Sequence, residues 1–146
     1  DYTVMKGYYK MPKETKETII DGWLHTGDLA TVDEDGFIYI KGRSKDMIIS
    51  GGENIYPVEL EQVIISHPKI SDAAVIGIPD AKWGETVRAI IVPVKGETIT
   101  EEDVINFCKQ NMASYKKPKS VIIIDALPRN PGGKVLKTEL RKIYGN

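Results

Sequence analysis

The sequence contains one cysteine, Cys108, and only two histidines and two tryptophans among 146 residues. A single cysteine excludes a disulfide within the chain and any cysteine-based zinc site. It fits a reducing compartment, so the expected location is cytoplasmic, or peripheral to a membrane in a larger parent. No apolar run approaches the ~20 residues that a bilayer-spanning helix needs, so no transmembrane segment is expected. Charge of one sign is also lacking: 20 Lys and Arg against 21 Asp and Glu give a formal net charge of −1. That balance argues against nucleic acid or an anionic membrane surface as the main partner. Compact catalytic signatures are missing too. There is no HExxH and no G-x-S-x-G. Gly133-Lys134 does not complete a phosphate-binding G-x-x-x-x-G-K-[ST], because position 128 is proline and Val135 follows the lysine. The first residues, Asp1 to Lys6, include no initiating Met and no signal-peptide core. The chain is therefore expected to begin inside a longer parent.

What is present is a series of turn signals between β-prone and helical runs. Residues 1–20 are polar, and Gly7 and Pro12 break any period there. Leu29–Val32 and Phe37–Ile40 flank Asp33-Glu34-Asp35-Gly36, which predicts a hairpin with a positive-φ turn. The charged segment Lys41–Asp46 separates it from Met47-Ile48-Ile49, and the boundary is placed near Lys45. Gly51-Gly52 and Asn54 make a second turn. Pro57 suits the first position of a helix carrying Leu60, Val63 and Ile64, which His67-Pro68 ends. Strands are expected over 72–78 and 87–94. Thr100 and Asp103 predict a capped helix with Val104, Phe107 and Cys108 on its apolar face. Val121–Ile124 reads as a buried strand. A last helix carries Leu136, Leu140, Ile143 and Tyr144. The fold class expected is α+β, a small mixed β-sheet packed with about three helices and preceded by a β-hairpin.

Four segments can carry chemistry. In Gly22-Trp23-Leu24-His25-Thr26-Gly27-Asp28, the aspartate can accept from two vicinal hydroxyls, or it can simply shape a turn. In Gly42-Arg43-Ser44-Lys45-Asp46, the guanidinium suits phosphate or hydroxyl partners, or the cluster is a solvated face. Gly51-Gly52 lets a ligand approach the backbone, or it serves a hairpin turn. In Leu127–Lys137, two prolines and two glycines hold Lys134 on a loop, either as a surface lysine or as a charge that reaches a partner's cleft.

Together, in this order, these segments resemble the late motifs of the adenylate-forming (AMP-dependent) superfamily of acyl-CoA synthetases, aryl-CoA ligases, luciferases and peptide-synthetase adenylation domains. Gly7-Tyr8-Tyr9 through Pro12 and Thr15 is similar to the family's G-Y-x-x-x-P-x-x-T stretch. The run Lys45–Pro57, and Ile76–Asp80 followed by Trp83-Gly84-Glu85, resemble fatty-acyl and related CoA ligases in particular. The resemblance implies that Asp28 and Arg43 contact the ATP ribose, that Lys45 is a hinge, that Gly51 and Gly52 line the CoA pantetheine path, and that Lys134 is the catalytic lysine of adenylation. It implies that residues 1–45 are the trailing segment of a large N-terminal adenylation domain, and that 46–146 form a mobile C-terminal domain. The implied substrates are ATP, CoA and a small carboxylic acid. The phosphate loop, the Mg²⁺ ligand and the acyl pocket are expected on the missing N-terminal domain, so this piece alone is expected to be inactive. The implied reaction is acyl-AMP formation followed by thioester formation. The alternatives are loading of a carrier-protein thiol, or a binding module of the same fold without catalysis.

Overall fold

Positive-φ turns divide the chain into its elements. The computed structural model describes residues 3–146. They form two compact units, residues 1–45 and 46–146.

In the first unit, Pro12 starts a helix rather than breaking one. α1 spans Pro12–Thr18 with proline in its first turn, where the missing N–H costs nothing. Thr15 Oγ1 accepts the Tyr8 N–H at 2.9 Å and donates to Met11 O at 2.7 Å, which fixes the entry to the helix. A two-residue hairpin follows: β1 (Ile19–Ile20) and β2 (Trp23–Leu24) join through Asp21 and Gly22, both at positive φ. Sequence reading missed both features. The Asp35-Gly36 hairpin forms as expected, with β3 (Asp28–Val32) antiparallel to β4 (Ile38–Arg43) and a bulge between Leu29 and Ala30. None of the described residues 3–45 is buried. Trp23, Phe37, Ile38 and Ile40 are each more than 60% exposed, so the described residues of this unit expose apolar side chains and form no core of their own. A 3₁₀ turn, Ser44–Asp46, leads on.

The second unit follows the expected order of hairpin, helix, strand, strand, helix, strand, helix. β5 (Ile48–Ser50) and β6 (Glu53–Ile55) form the glycine hairpin, and α2 is Pro57–Ile65. β7 (Ile70–Asp80) and β8 (Gly84–Pro93) make a long antiparallel ribbon joined by a three-residue turn. α3 is Glu101–Asn111, β9 is Ser120–Ile123 and α4 is Lys137–Tyr144. The sheet order is β6-β5-β8-β7, with β9 parallel to β8, so the sheet is mixed.

Alternation along the ribbon sends side chains to both faces. Ala73, Val75, Val87, Ala89 and Ile91 pack with Leu60 and Ile64 of α2 and Val104 and Cys108 of α3. Ala74, Ile76, Ile78 and Ile90 face the other way, against Leu127 and Leu140. The near-continuous apolar runs of both strands follow from this two-sided burial. α3 begins with the expected capping box, Thr100 Oγ1 accepting from Asp103 N and Asp103 accepting from Thr100 N. The Thr100 hydroxyl and then its backbone N–H hold the Asp103 carboxyl below the ordinary 3.8.

Two local readings change. β9 lies at an edge, and Ile123 is 43% exposed, because only β8 pairs with it. Leu136 precedes α4 and Ile143 points to solvent, so Leu140 anchors that helix. His67, just past the end of α2, turns its ring to α3. Its Nδ1 accepts the Lys69 N–H at 3.2 Å, and its ring meets Phe107 edge-on at 4.8 Å. No helix among the described residues is long and apolar enough to cross a membrane.

Burial pushes the Cys108 thiol up to about 11 from its ordinary 9.0, because a thiolate there would lose its hydration. A disulfide-exchange reagent at pH 8 is expected to leave Cys108 unmodified in the folded chain and to titrate it fully in denaturant. Since the folded value is the higher one, stability should also fall as pH rises from 9.0 towards 11. Rapid labelling of the folded chain would show that α3 is not packed as described.

Candidate functional site

Register brings Asp28 and Arg43 together. They are Cα partners at the open end of the β3–β4 hairpin, fifteen positions apart in sequence. Arg43 Nε sits 2.9 Å from Asp28 Oδ1, and Arg43 Nη1 donates to Thr26 O at 2.6 Å. The Thr26 hydroxyl accepts the Asp28 N–H at 3.1 Å, and Ser44 N–H donates to Gly27 O at 2.8 Å. Gly27, at φ 74°, lets the chain turn beneath the guanidinium. The result is a half-exposed pair of acceptor and donor whose geometry is fixed by backbone contacts. Such a pair can bind a vicinal diol.

The second site is built around the glycine turn. Gly51 and Gly52 have φ of 61° and 89°, the two positive values a type I′ hairpin turn requires. Their surroundings differ. A Cβ on Gly51 would lie 2.7 Å from the Trp83 ring, whereas one on Gly52 would meet nothing within 4 Å. Trp83 O accepts the Gly51 N–H at 2.9 Å. Beside this contact is a cavity of about 230 Å³, lined by Trp83, Thr86, Val87 and Tyr115 and rimmed by Lys117 and Lys119. Lys82 and Lys119 place their ammonium groups 4.7 and 5.5 Å from the Trp83 ring centre. Sequence reading found the glycines but not this cavity. Its walls come from separate segments: Ser50, Gly51, Glu53 and Trp83 lie in runs that the sequence marks out, whereas Thr86, Val87 and Tyr115 do not.

Lys134 stands exposed on a loop held from both sides. Lys134 N–H donates to Asn130 Oδ1, Asn130 N–H donates to Lys134 O, and Gly133 N–H donates to Asn130 O, each at 2.9 Å. Arg129 bridges backbone to Val135, donates to Gly133 O and pairs with Asp72 near the start of β7. The ammonium is free to move while its Cα is fixed. Lys45 lies in the 3₁₀ turn at the boundary of the two units. Among the described residues, no group of three or more His, Cys, Asp or Glu side chains converges to hold a metal ion.

The family profile described as the AMP-binding enzyme C-terminal domain matches residues 59–134, just over half of the chain. The chain belongs to this family. It is 50% identical over 141 residues to the long-chain-fatty-acid–CoA ligase FadD13 of Mycobacterium tuberculosis, covering 97% of this chain and 28% of that protein. It is 49% identical over 140 residues to the 2-succinylbenzoate–CoA ligase of Bacillus cytotoxicus, covering 96% and 29%. Among solved structures, ATP-bound MatB of Rhodopseudomonas palustris is 46% identical, with a TM-score of 0.88 over 97% of this chain and 28% of MatB. Apo MatB, at the same identity and coverage, has a TM-score of 0.72. The chain thus spans between a quarter and a third of the length of the relatives it matches. The matches show an AMP-binding-enzyme C-terminal domain of α+β fold.

The contrast at the glycine turn is testable. Gly51→Ala should collide with Trp83 and Gly52→Ala should not, although both suffer at positive φ at a cost of about 1 kcal/mol. Urea denaturation is expected to show Gly51→Ala as the more destabilising, and a reversed order would mean that Trp83 does not cover Gly51.

Proposed function

We propose that this chain is the C-terminal part of an ATP-dependent carboxylic acid–CoA ligase, which forms an acyl-AMP and passes the acyl group to CoA. The single observation that carries the reading is the position of the two loops. The glycine turn joins the ribbon at its Asp80–Gly84 end, where Ser50 pairs with Gly84. The Lys134 loop is tied through Arg129 to Asp72, which pairs with Val92 at the other end. Eight residues at ~3.3 Å each put the two anchors about 25 Å apart. One rigid domain cannot hold both loops at one reacting centre at once. Two loops that serve one centre must do so in turn, as a two-step reaction requires.

In the first step a carboxylate oxygen attacks the α-phosphorus of ATP. The bond to pyrophosphate breaks and acyl-AMP remains. Negative charge grows on the phosphoryl oxygens, and the mobile Lys134 ammonium meets it. Asp28 and Arg43 hold the ribose diol, the carboxylate accepting and the guanidinium donating. In the second step the CoA sulfur attacks the acyl carbonyl and AMP leaves. The pantetheine arm runs past the open side of Gly52, and the cavity by Trp83 and Tyr115 takes the adenine, with Lys117 and Lys119 facing the phosphates. Lys45 is the hinge between the two states. Residues 1–45, with their exposed apolar side chains, then belong to the large N-terminal adenylation domain, which also supplies the acyl pocket and Mg²⁺ site. The isolated piece is inactive in this reading.

In the full-length enzyme, Lys134→Ala should slow acyl-AMP formation by about 10²–10³ and leave thioester formation from supplied acyl-AMP nearly unchanged. Gly52→Leu should do the reverse, because its side chain enters the acceptor path without clashing inside the domain. Pyrophosphate release and single-turnover thioester formation read the two steps separately. Equal loss in both steps from both variants would refute the proposal.

A further inference from the structure

We propose that Asp80 is a positioning residue for the thioester-forming step: from the end of β7 it holds Trp83 against the Gly51-Gly52 turn and Lys119 at the rim of the adjoining cavity. The inference rests on the reading above of that cavity as the CoA side.

The turn 81–83 contains no glycine or proline that would fix its course. One carboxylate takes up two of its N–H groups. Asp80 Oδ1 accepts the N–H groups of Lys82 at 2.9 Å and Trp83 at 3.0 Å, while Oδ2 accepts from Lys119 Nζ at 3.0 Å. Both oxygens are used. The Lys119 ammonium, then the two N–H groups, hold the carboxyl below its usual range, so it stays ionised across neutral pH.

Three chain segments depend on these bonds. The 81–83 turn presents Trp83 O to the Gly51 N–H and lays the indole where a Gly51 Cβ would stand. Lys119 is drawn to the indole face and kept at the cavity rim, with its own N–H donated to Val87 O at 2.9 Å. Asp80 itself does not line the cavity. It acts on an acceptor molecule only through Trp83, the glycine turn and Lys119. Without it the indole loses its fixed carbonyl, and Lys119 loses its anionic partner and is free to swing into solvent. The groups it bonds, on Lys82, Trp83 and Lys119, all lie off the Lys134 loop, so adenylation should not depend on it.

The test uses Asp80→Ala and Asp80→Asn in the full-length enzyme, with acid-dependent ATP–pyrophosphate exchange for adenylation and CoA-dependent single-turnover conversion of preformed acyl-AMP for the second step. Asp80→Ala is expected to raise the KM for CoA about tenfold or more while exchange stays within about twofold of wild type. Asp80→Asn keeps an acceptor for the two N–H groups but loses the charge opposite Lys119, so its effect should be smaller, about threefold. A second readout needs no activity. In the 146-residue chain, Asp80→Ala should accelerate amide exchange at Gly51 about tenfold and leave Leu140, on the opposite face of the sheet, within about twofold. An unchanged KM for CoA, equal losses in both half-reactions, or Gly51 and Leu140 amides accelerating together would each overturn the role. A wild-type enzyme that makes acyl-AMP but transfers it to no CoA would overturn the reading of the cavity and the role built on it, even if Gly51 exchange responded as expected.

Discussion

The antiparallel register between β7 and β8, from Ile70 opposite Pro93 to Asp80 opposite Gly84, is the constraint on which residues 46–146 depend. It orders two apolar faces at once. One takes α2 and α3, the other takes α4 and Leu127. A slip of one residue would exchange the faces and bury the wrong side chains on both. The same ribbon separates the two loops with chemical potential, because the glycine turn is paired to one end and the Lys134 loop is tied to the other. Polar contacts stitch the surrounding elements to this frame. Glu61 of α2 accepts the Val75 N–H on the free edge of β7 and pairs with Lys137 at the start of α4. Asp46, next to the proposed hinge, pairs with Arg141 of α4 at 2.8 Å. These contacts tie the residue after Lys45 to the rest of the domain, so the proposed pivot would move both loops together.

Residues 1–45 obey different physics. The hydrogen bonds described above for them lie in hairpins and a short helix, and no described side chain among them is buried. Such a segment gains little from hydrophobic burial by itself. Its ordered element is the Asp28–Arg43 end of the hairpin, where an ion pair, a carbonyl contact and a hydroxyl contact converge. That concentration of fixed polar geometry on an exposed hairpin suits the ligand contact proposed for it.

Much of the fold was legible because its signals are local. Asp35-Gly36 and Gly51-Gly52 mark turns that only positive φ permits. Pro57 and the Thr100–Asp103 box mark helix starts through orphan N–H groups. The order of elements after Asp46 followed from these. What failed was non-local or ambiguous. Pro12 is a breaker in mid-helix but a starter at the first turn, and nothing before it told which. Asp21-Gly22 carries the same signal as Asp35-Gly36, but its flanking strands are only two residues long. Val121–Ile124 is apolar throughout, yet apolarity does not say whether a strand has one neighbour or two. The proposed site shows the same division. Asp28, Arg43, Gly51, Gly52 and Lys134 could be named from motifs. The Asp28–Arg43 contact is a matter of register, and the cavity by Trp83 is assembled from segments whose spacing carries no pattern.

In the proposed reaction a single domain presents opposite ends of its ribbon to one reacting centre in succession. The most direct measurement is the distance between spin labels on Glu34→Cys and Lys95→Cys in the full-length enzyme. It would be taken once with ATP and a non-reacting acid analogue, and once with an acyl-adenylate analogue and CoA. With its thiol raised to about 11 by burial, Cys108 should not compete for label. Domain alternation predicts two distance distributions differing by about 10 Å or more, a large fraction of the ~25 Å between the loop anchors. One unchanged distribution in both states would contradict it.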